Sequence, residues 1–492
     1  MRAHVVSVET DITKGLHAFT IVGLPDKAVE EAKDRVASAI KNSGLESPKR
    51  SNKKIVISLA PAELKKEGAA FDLPVALSFL LASEQSKFDT KEKLFAGELA
   101  LDGEVRPIRG TLSIAIAAAA EGYKELYVPL ENADEASLVS GITIYPVQEL
   151  ENLISHLEGK EKILAHKRRK KESKEVDALL LDDIRGQESA KRGLEIAAAG
   201  RHNIALYGPP GTGKTMLARA ATAILPPLTE EEMIEVTAIH SLSGTLAGTA
   251  ITRPPFRSPH HTSSYASLIG GGSTPRPGEV TLAHRGLLFL DEFAEFHRDV
   301  VNALREPLED RVVSVSRARG SSTFPANFML VAALNPCPCG YYGSQRCECM
   351  PHIVEKYRRK ISGPVADRID MWVQVGDMPP EALSRKAKQA AGETKKARER
   401  ILLARKVQQK RFKNAKHLST NADMKAKDIE RYAEITDEAE AELIAAAQRL
   451  KLSARGFHRT IKLARTIADL AGCSKVELGH MLEALQYRVR EL

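Results

Sequence analysis

Eight consecutive residues combine the small and charged side chains that hold a polyphosphate. A short apolar run, residues 203–207, precedes them, and residues 216–225, of helical composition, follow them. Glycines let backbone N–H groups converge on phosphate oxygens at a helix N-terminus. We therefore expect Lys214 to reach the β- and γ-phosphates of ATP, and Thr215 to offer its hydroxyl to Mg²⁺. The run reads GPPGTGKT and comprises Gly208, Pro209, Pro210, Gly211, Thr212, Gly213, Lys214 and Thr215.

Two further apolar runs end in polar residues that suit the hydrolysis of a bound phosphate chain. Residues 287–290 are followed by Asp291 and Glu292, and residues 328–334 are followed by Asn335. The carboxyl ends of parallel strands meet at one edge of a sheet. There we expect Asp291 to hold hydrated Mg²⁺ and Glu292 to polarise the attacking water, while the Asn335 amide orients that water. A plain Asn-Pro turn is the alternative use of Asn335.

Four segments of the chain together resemble one family of ATPases. They read GPPGTGKT, LLFLDE, ALNPCPCG and SGPVADRID, and they are similar to the magnesium-chelatase-like AAA+ family called ComM or YifB. The resemblance covers essentially the whole chain. It implies that Asn335 is the sensor-1 residue and that Arg368 is an arginine finger entering a neighbouring subunit's site. Arg455 then matches the sensor-2 arginine of a helical lid, with Arg459 as its rival.

An arginine finger that acts between subunits has a consequence for assembly. It stabilises charge developing on the γ-phosphate of the neighbouring site, so hydrolysis depends on oligomerisation. The assembly that the resemblance implies is a homo-hexameric ring. Without the resemblance, either arginine is equally an ordinary surface or salt-bridge residue.

The region between the phosphate loop and Asp291 is longer than a minimal ATPase core requires. We interpret residues 253–279 as an insertion whose cations, with Phe256 and Tyr265 as stacking faces, suit a phosphate backbone and unpaired bases. Residues 311–327 alternate like the strands of a hairpin. In related AAA+ helicases both features project into the ring pore, and the alternative is a Gly/Pro-rich loop with incidental arginines. The candidate DNA-binding residues are Arg253, Arg257, His260, His261, Arg317 and Arg319.

Four of the five cysteines lie close together. Two close pairs of thiolates, separated by seven residues, suit a tetrahedral Zn²⁺, although the C-x-C spacing is tighter than usual. A redox switch is the alternative, whereas a reducing compartment disfavours a disulfide. The fifth cysteine, Cys473, is expected to be a buried apolar residue. The four candidate zinc ligands are Cys337, Cys339, Cys347 and Cys349.

Changes in composition along the 492 residues predict an α/β protein of three folded parts. Residues 1–165 alternate strand-like and helix-like runs, and a charged linker follows at 166–178. Residues 179–378 repeat the order of strand, loop and helix, which predicts a parallel-sheet AAA+ core with inserted hairpins. Residues 379–492 are rich in strong helix formers and predict a helical lid.

The N-terminal part has a resemblance of its own. Residues 54–159, through KIVISLAPAELKKEGAAFDLPVAL, GEVRPIRG and GYKELYVPLEN, are similar to the proteolytic domain of Lon. The position of Lon's nucleophilic serine falls in residues 68–72, which read GAAFD, and the position of its lysine is Leu112. Since that type of acyl transfer needs a hydroxyl and an amine, we expect a Lon-like domain without proteolytic activity.

Bulk composition favours a folded protein with a polyanionic partner. Hydrophobic residues at 43% and charged residues at 28% exclude wholesale disorder. No apolar run approaches the roughly 20 residues that cross a bilayer, and no secretory signal precedes the first strand, so we expect a cytoplasmic protein without a membrane partner. A net charge of +8 mildly favours nucleic acid.

Three hypotheses for the function follow from these features and the resemblance. The leading one is an ATP-dependent hexameric motor, a translocase or branch-migration helicase that acts on branched or single-stranded DNA during recombination, with natural transformation as the implied process. The second is the ATPase subunit of a metal-insertion enzyme such as magnesium chelatase, and the third is a protein remodeller. An arginine-rich insertion favours DNA, whereas an aromatic pore loop would favour polypeptide.

Overall fold

The chain divides into two compact units. The first contains Met1–Glu172 with Met233–Ile251, and the second contains Ser173–Glu232 with Thr252–Leu492. The segment 233–251, which the sequence-based boundaries assign to the ATPase core, therefore belongs to the first unit. The computed structural model describes residues 3–50, 52–168, 179–246, 248, 250–272, 276–317, 320–360, 363–377, 392–415 and 418–488, so most of the expected linker lies outside the described residues.

The first unit is built from two three-stranded sheets, a ribbon and helices. Strand order is β1-β3-β2 in one sheet and β4-β7-β8 in the other, while β5 and β6 form the ribbon. The strands are β1 (Ser7–Lys14), β2 (Ala18–Val22), β3 (Lys53–Ala60), β4 (Lys93–Phe95), β5 (Glu98–Leu99), β6 (Val105–Arg106), β7 (Glu125–Pro129) and β8 (Thr143–Val147). The helices are α1 (Lys27–Asn42), α2 (Asp72–Ala82), α3 (Thr111–Ala120), α4 (Leu130–Ala136) and α5 (Leu150–Leu157).

Two positions bear on the comparison of this unit with Lon. Leu112, at the position of the lysine, is fully buried in α3. The segment at the position of the serine ends at Asp72, whose carboxylate accepts from Arg35 Nε at 2.6 Å. Both positions therefore serve packing or a buried ion pair, and the lack of proteolysis stays a prediction.

The second unit is organised around a parallel sheet with strand order β10-β13-β16-β9-β17. Every residue of β13 and β16 is buried. Strands covered by helices on both faces form continuous apolar runs, which is why the sequence pattern located them. The parallel-sheet core is thus confirmed. Its strands are β9 (Ile204–Tyr207), β10 (Phe256–Arg257), β13 (Leu287–Leu290), β16 (Met329–Leu334) and β17 (Met371–Gln374).

The helices of this unit flank the sheet and form the lid. Apolar residues of the lid, such as Leu443 and Leu463, share one hydrophobic core with Ile204 of β9. The helical lid is therefore confirmed. The core helices are α6 (Glu188–Gly200), α7 (Lys214–Ile224), α8 (Glu230–Ser243, which extends into the first unit), α9 (Tyr265–Ile269), α10 (Glu279–Leu282), α11 (Arg298–Ala303), α12 (Arg305–Asp310), α13 (Pro351–Lys360) and α14 (Gly363–Ala366). The lid helices are α15 (Glu393–Arg411), α16 (Ala426–Tyr432), α17 (Asp437–Arg449), α18 (Ala454–Ala471) and α19 (Leu478–Gln486). Among the described residues, no helix is long and apolar enough to cross a membrane.

The two inserted features differ in how well the sequence located them. The hairpin is present as β14 (Val312–Arg317) paired with β15 (Gly320–Pro325). The other segment is not wholly an insertion, because its strand β10 forms an edge of the main sheet. The Phe256 ring lies 6.1 Å from that of Phe289 and packs on the core, so its prediction as a base-stacking face is wrong. Strand β10 has only two residues, which is too short for an alternation of apolar and polar side chains to reveal it in the sequence. Beyond it, β11 (Gly270–Gly271) pairs with β12 (Arg276–Pro277).

Candidate nucleotide-binding site

The phosphate loop connects the end of β9 to the start of α7. Gly211 and Gly213 have φ angles of +81° and +89°, a region that side chains disfavour. A Cβ atom at Gly208 would lie 2.0 Å from the carbonyl oxygen of Val375. The loop therefore needs glycine at these positions, twice for conformation and once for space.

Lys214 occupies the centre of this loop. Its Nζ donates to the carbonyl oxygens of Gly208 and Pro209, both at 2.7 Å, and to Oδ1 of Asn335 at 3.2 Å. Burial lowers the pKa of Lys214, although the carboxylates of Asp291 and Asp377 partly oppose that shift. A buried ammonium group surrounded by a glycine cradle is suited to a phosphate chain.

The residues expected to hold Mg²⁺ lie together beside Lys214. Thr215 Oγ1 donates to Oδ2 of Asp291 at 2.8 Å, and the Glu292 backbone N–H donates to Oδ1 of Asp291 at 3.0 Å. A hydroxyl next to a carboxylate is an oxygen donor set that fits Mg²⁺. Glu292 itself has a φ of +49°, which is rare for a residue with a side chain. The tight turn after β13 thus fixes the position of the Glu292 backbone, from which the side chain extends.

Arg368 lies at the opposite edge of the sheet from the phosphate loop. β17 runs parallel to β9, and Asn203, just before β9, donates from Nδ2 to the carbonyl oxygen of Arg368 at 3.0 Å. Gly208 follows Asn203 by five residues of extended chain, a span of about 16 Å. The Arg368 side chain therefore lies far from the Lys214 of its own chain.

Arg368 and Arg455 share one partner, Glu309. Arg455 Nη2 lies 3.0 Å from Glu309 Oε1, and Arg368 Nη2 contacts the other carboxylate oxygen. The hydrogen bond from Arg368 is the main cause that lowers the pKa of Glu309. All three residues line a cavity of about 780 Å³ between the amino edge of the sheet and the lid. The structure brings the two predicted arginines together, but not with the phosphate loop.

The surroundings of Arg455 and Arg459 distinguish the two candidates for the sensor-2 arginine. Arg459 Nη1 lies 2.9 Å from Oδ1 of the buried Asp370. Burial by itself would raise the pKa of Asp370, but the charge of Arg459 and a hydrogen bond from the backbone N–H of Asn203 hold that pKa well below its usual range. The Arg455 side chain is 57% exposed. Arg459 therefore serves a structural ion pair, which favours Arg455 for the sensor-2 role.

Comparison with known proteins identifies the family. Models of magnesium chelatase subunit ChlI match residues 8–132 and 180–383, and the model of its C-terminal part matches residues 391–488. Competence protein ComM of Haemophilus influenzae is 42% identical over 495 residues, covering 99% of this chain and 95% of that protein. YifB of Escherichia coli is 43% identical over 491 residues, covering 98% and 94%. The chain belongs to the ComM/YifB family of magnesium-chelatase-like AAA+ ATPases.

Membership of this family establishes an ATPase and implies ATP and Mg²⁺ as its cofactors. Lon protease 2 of Bacillus subtilis is 30% identical over 201 residues, which is 36% of each chain. That similarity supports the Lon-like description of the fold.

The candidate DNA-binding residues of this ComM/YifB member differ in their availability. Arg253 and His260 are exposed. Arg257 donates from Nε and Nη2 to both carboxylate oxygens of Glu279, at 2.6 and 2.7 Å, so its guanidinium is already engaged. In the hairpin, Arg317 pairs through its backbone with Gly320, whereas Arg319 lies outside the described residues.

His261 contacts a residue to which sequence reasoning did not connect it. Its Nδ1 lies 2.9 Å from Oε2 of Glu292. Sequence reasoning also missed Glu309, the common partner of Arg368 and Arg455. The two partners of each contact are separated by thirty or more residues, so no local sequence pattern indicates that they meet.

The four clustered cysteines converge on one point. The Sγ atom of Cys337 lies 3.3 Å from that of Cys339 and 3.9 Å from that of Cys347, and all four Sγ atoms, that of Cys349 included, lie within 4.8 Å of one another. A tetrahedral site with Zn–S bonds of about 2.3 Å has S···S edges of about 3.8 Å. The cluster thus fits the predicted ligand set. Cys473, expected to be buried, is partly exposed at the rim of the core because it lies in the turn just after α18, which ends at Ala471.

Proposed function

We propose that this ATPase assembles into a homo-hexameric ring that moves DNA, as a translocase or branch-migration helicase acting on recombination intermediates. The relative from Haemophilus influenzae is a competence protein, which supports natural transformation as the process. The cationic insertion and hairpin support DNA as the substrate, since basic side chains contact phosphates in a sequence-independent way.

One observation carries the link between DNA and hydrolysis. The hairpin strand β15 leads within a few residues into β16, and β16 ends directly before Asn335. Asn335 accepts a hydrogen bond from Lys214. The hairpin strand β15 and the nucleotide site are therefore connected through a three-residue link and the buried strand β16, which can transmit a displacement of either end to the other.

The residues at the carboxyl edge have distinct tasks in the proposed reaction. Lys214 offsets the charge of the β- and γ-phosphates. Glu292 orients the attacking water and accepts its proton, and the Asn335 amide fixes the position of that water. Thr215 and Asp291 would hold Mg²⁺, which would neutralise part of the phosphate charge.

The placement of the two arginines supports the proposed ring. Because Arg368 and Arg455 lie at the amino edge, they do not reach the phosphate loop of their own chain. In a ring they would serve the site of the neighbouring copy, where Arg368 stabilises the charge that develops on the γ-phosphate. A single chain then carries both halves of the site without completing either.

We also propose a structural zinc at Cys337, Cys339, Cys347 and Cys349. The cysteine loop packs on the phosphate loop, since a Cβ atom at Gly340 would lie 2.6 Å from Cδ of Pro210. Cys337 also follows Asn335 by two residues. A metal bound by four thiolates would therefore rigidify the chain that positions Asn335.

The experiment that tests the motor measures ATP turnover of the full chain with a four-way junction, single-stranded DNA, duplex DNA or no DNA. A second arm follows strand movement in a labelled junction. We expect stimulation by DNA and ATP-dependent strand movement, both absent in Glu292→Gln, which should bind ATP and hydrolyse at least about 10²-fold more slowly. Turnover that responds to an unfolded polypeptide but to none of the DNAs would instead indicate a protein remodeller.

A further inference from the structure

Three arginines line a cavity at the amino edge of the main sheet, where the core meets the lid. The cavity has a volume of about 370 Å³, and apolar residues such as Met329 and Phe412 form part of its wall. Arg201 follows α6, Arg285 precedes β13, and Arg405 lies in the lid helix α15. We refer to this cavity as the arginine pocket. Its cations come from three separate segments, so one ligand would contact the core and the lid together.

Two of these guanidinium groups are held by backbone carbonyl oxygens. Arg201 Nη2 donates to the carbonyl oxygen of Arg285 at 3.0 Å, and Arg405 Nη2 donates to that of Ala198 at 2.9 Å. The Arg201 side chain is only 9% exposed. The Nε atom of Arg405 is buried and has no hydrogen-bond partner among the residues that the structure describes. Carbonyl contacts orient a guanidinium group without cancelling its charge, so both groups keep charge and N–H donors for a ligand.

The nearest carboxylate within the pocket is shared and already engaged. Oε1 of Glu232 lies 3.7 Å from Arg201 Nη1 and 3.4 Å from Arg285 Nη1, so one oxygen atom faces two guanidinium groups. The other oxygen, Oε2, accepts from the Thr229 N–H at 3.2 Å. Glu231 also lines the cavity, but its side chain is exposed. The pocket therefore has more cationic than anionic groups at its buried end.

A second carboxylate near Arg405 has a partner of its own. The Asp423 carboxylate lies 2.8 Å from Arg311 Nη2. Burial and the charge of Arg201 lower the pKa of Arg405 to about 9, and the charges of Asp423 and Glu232 oppose that shift only in part. A pKa lowered in this way shows that the surroundings disfavour the charged form of the guanidinium group. A bound anion would stabilise that form.

We propose that the arginine pocket binds a phosphate-type oxyanion, inorganic phosphate or pyrophosphate. Guanidinium N–H groups form paired, charge-assisted hydrogen bonds with the oxygens of such an anion. ATP hydrolysis releases inorganic phosphate, so a ligand of this class is produced whenever the ATPase turns over. Bound between Arg201 and Arg405, the anion ties α15 of the lid to the amino edge of the core. The site is independent of the DNA motor proposed above.

The test measures binding of inorganic phosphate and of pyrophosphate to the full chain carrying Lys214→Ala, in which the phosphate loop is disabled. Isothermal titration at constant ionic strength, with chloride as the replaced anion, should show one site per chain. Arg405→Gln in the same background should weaken binding by at least about 10-fold, as expected for the loss of a hydrogen bond to a charged group. Arg405→Lys keeps the charge but loses the fork of donors, and should give an intermediate affinity.

The matched control is Arg398→Gln, which removes an arginine from the exposed face of the same helix and should leave the affinity unchanged. Thermal unfolding distinguishes a ligand site from a structural arginine. Without added anion, Arg405→Gln should be at least as stable as this control, because its repulsion by Arg201 is removed. At one fixed concentration of pyrophosphate, the control should gain more stability than Arg405→Gln, since only a bound ligand stabilises the folded state.

Three results would overturn the anion site. They are the lack of saturable binding of either anion to the Lys214→Ala protein, equal affinities in Arg405→Gln, Arg405→Lys and the control, and a loss of stability in Arg405→Gln without a loss of affinity. The last result would make Arg405 a structural residue. Turnover and strand movement with DNA are not measured in these titrations, so failure of the anion site leaves the motor intact.

Discussion

The two edges of the main sheet carry functional residues of different kinds. At the carboxyl edge, Lys214 donates a hydrogen bond to Asn335, and Thr215 donates one to Asp291. At the amino edge, Arg368 and Arg455 meet on Glu309, a residue that belongs to neither predicted motif. The first edge is assembled from strand ends, whereas the second is assembled from a helix end, a loop and the lid.

The difference between the edges supports the proposal that one chain separates phosphate binding from completion of the site. The carboxyl edge has what is needed to hold a phosphate chain and a metal. The amino edge has arginines whose partner in this structure is the Glu309 carboxylate, and in the proposed ring a phosphate of a neighbouring copy would replace that partner. The following predictions alter one of the edges, the cysteine cluster or the candidate DNA-binding segments, and measure hydrolysis, stability or DNA binding.

The largest effect is expected when the two edges are broken in different chains. Lys214→Ala should abolish ATP binding, and Arg368→Ala should retain binding but lose about 10³-fold in kcat, as expected for an arginine finger. Mixing the two inactive proteins should restore part of the activity, because some interfaces then join an intact phosphate loop to an intact Arg368. Steady-state ATPase assays across mixing ratios measure this.

The control for mixing is the double variant Lys214→Ala with Arg368→Ala, combined with either single variant. A mixture of Lys214→Ala with this double variant contains no intact phosphate loop and should stay inactive. If the two single variants form rings together and the mixture is still inactive, Arg368 does not act between subunits.

The next prediction concerns the amino edge and distinguishes the roles of two arginines on the same lid helix. Arg459→Ala removes the arginine that is ion-paired with the buried Asp370 and should cost about 3 kcal/mol of unfolding free energy. Arg455→Ala should leave stability unchanged, since its side chain is exposed, but lower kcat. Urea unfolding and ATPase assays of both variants measure the two effects, and equal destabilisation by both would contradict the distinction.

The pH dependence of the same pair has a definite sign. The pKa of Asp370 is depressed in the folded protein, so its contribution to stability is present above the ordinary carboxyl pKa of about 4 and is lost as the pH falls. Arg459→Ala should weaken that dependence.

A moderate effect is expected from changes in the cysteine cluster, which packs beside the phosphate loop at the carboxyl edge. Protein purified without chelator should contain about one Zn²⁺ per chain, and Cys337→Ser with Cys339→Ser should lose it together with thermal stability. Cys473→Ser changes the cysteine outside the cluster and should keep both. Metal analysis and thermal unfolding measure the two effects. Fully folded wild-type protein without metal would show that the four cysteines are packing residues and not zinc ligands.

The smallest effect per residue is expected along the hairpin and insertion. Changing Arg253, Arg317 and Arg319 to alanine should lower the log-log salt slope of DNA binding by about 0.7 to 0.9 for each lost phosphate contact. Basal ATPase should persist, because the carboxyl edge is untouched. A control with the same loss of charge on the exposed face of α15 changes Lys395, Lys396 and Arg398. An unchanged slope in the first variant would place the DNA contacts elsewhere, with the basic linker at residues 167–171 as the next candidate.

Local patterns in the sequence were sufficient to predict the carboxyl edge. The phosphate loop, the strands before Asp291 and Asn335, the hairpin and the helical lid follow from glycine placement, continuous apolar runs and helix-forming composition. These signals act over a few residues, because buried parallel strands must be apolar and a phosphate cradle must be glycine-rich. The cysteine cluster was predicted for the same reason, as its ligands lie in one short segment.

The tertiary structure decided which distant residues meet. It placed Arg368 and Arg455 on Glu309 and Arg459 on Asp370, and it joined His261 to Glu292. It also made β10 a strand of the main sheet and assigned residues 233–251 to the first unit. A charged side chain has many possible partners in a chain with 72 basic and 64 acidic residues, and only the packing of separate segments selects one. The sequence therefore determined the chemistry of each edge, and the fold determined which of those groups can act on one another.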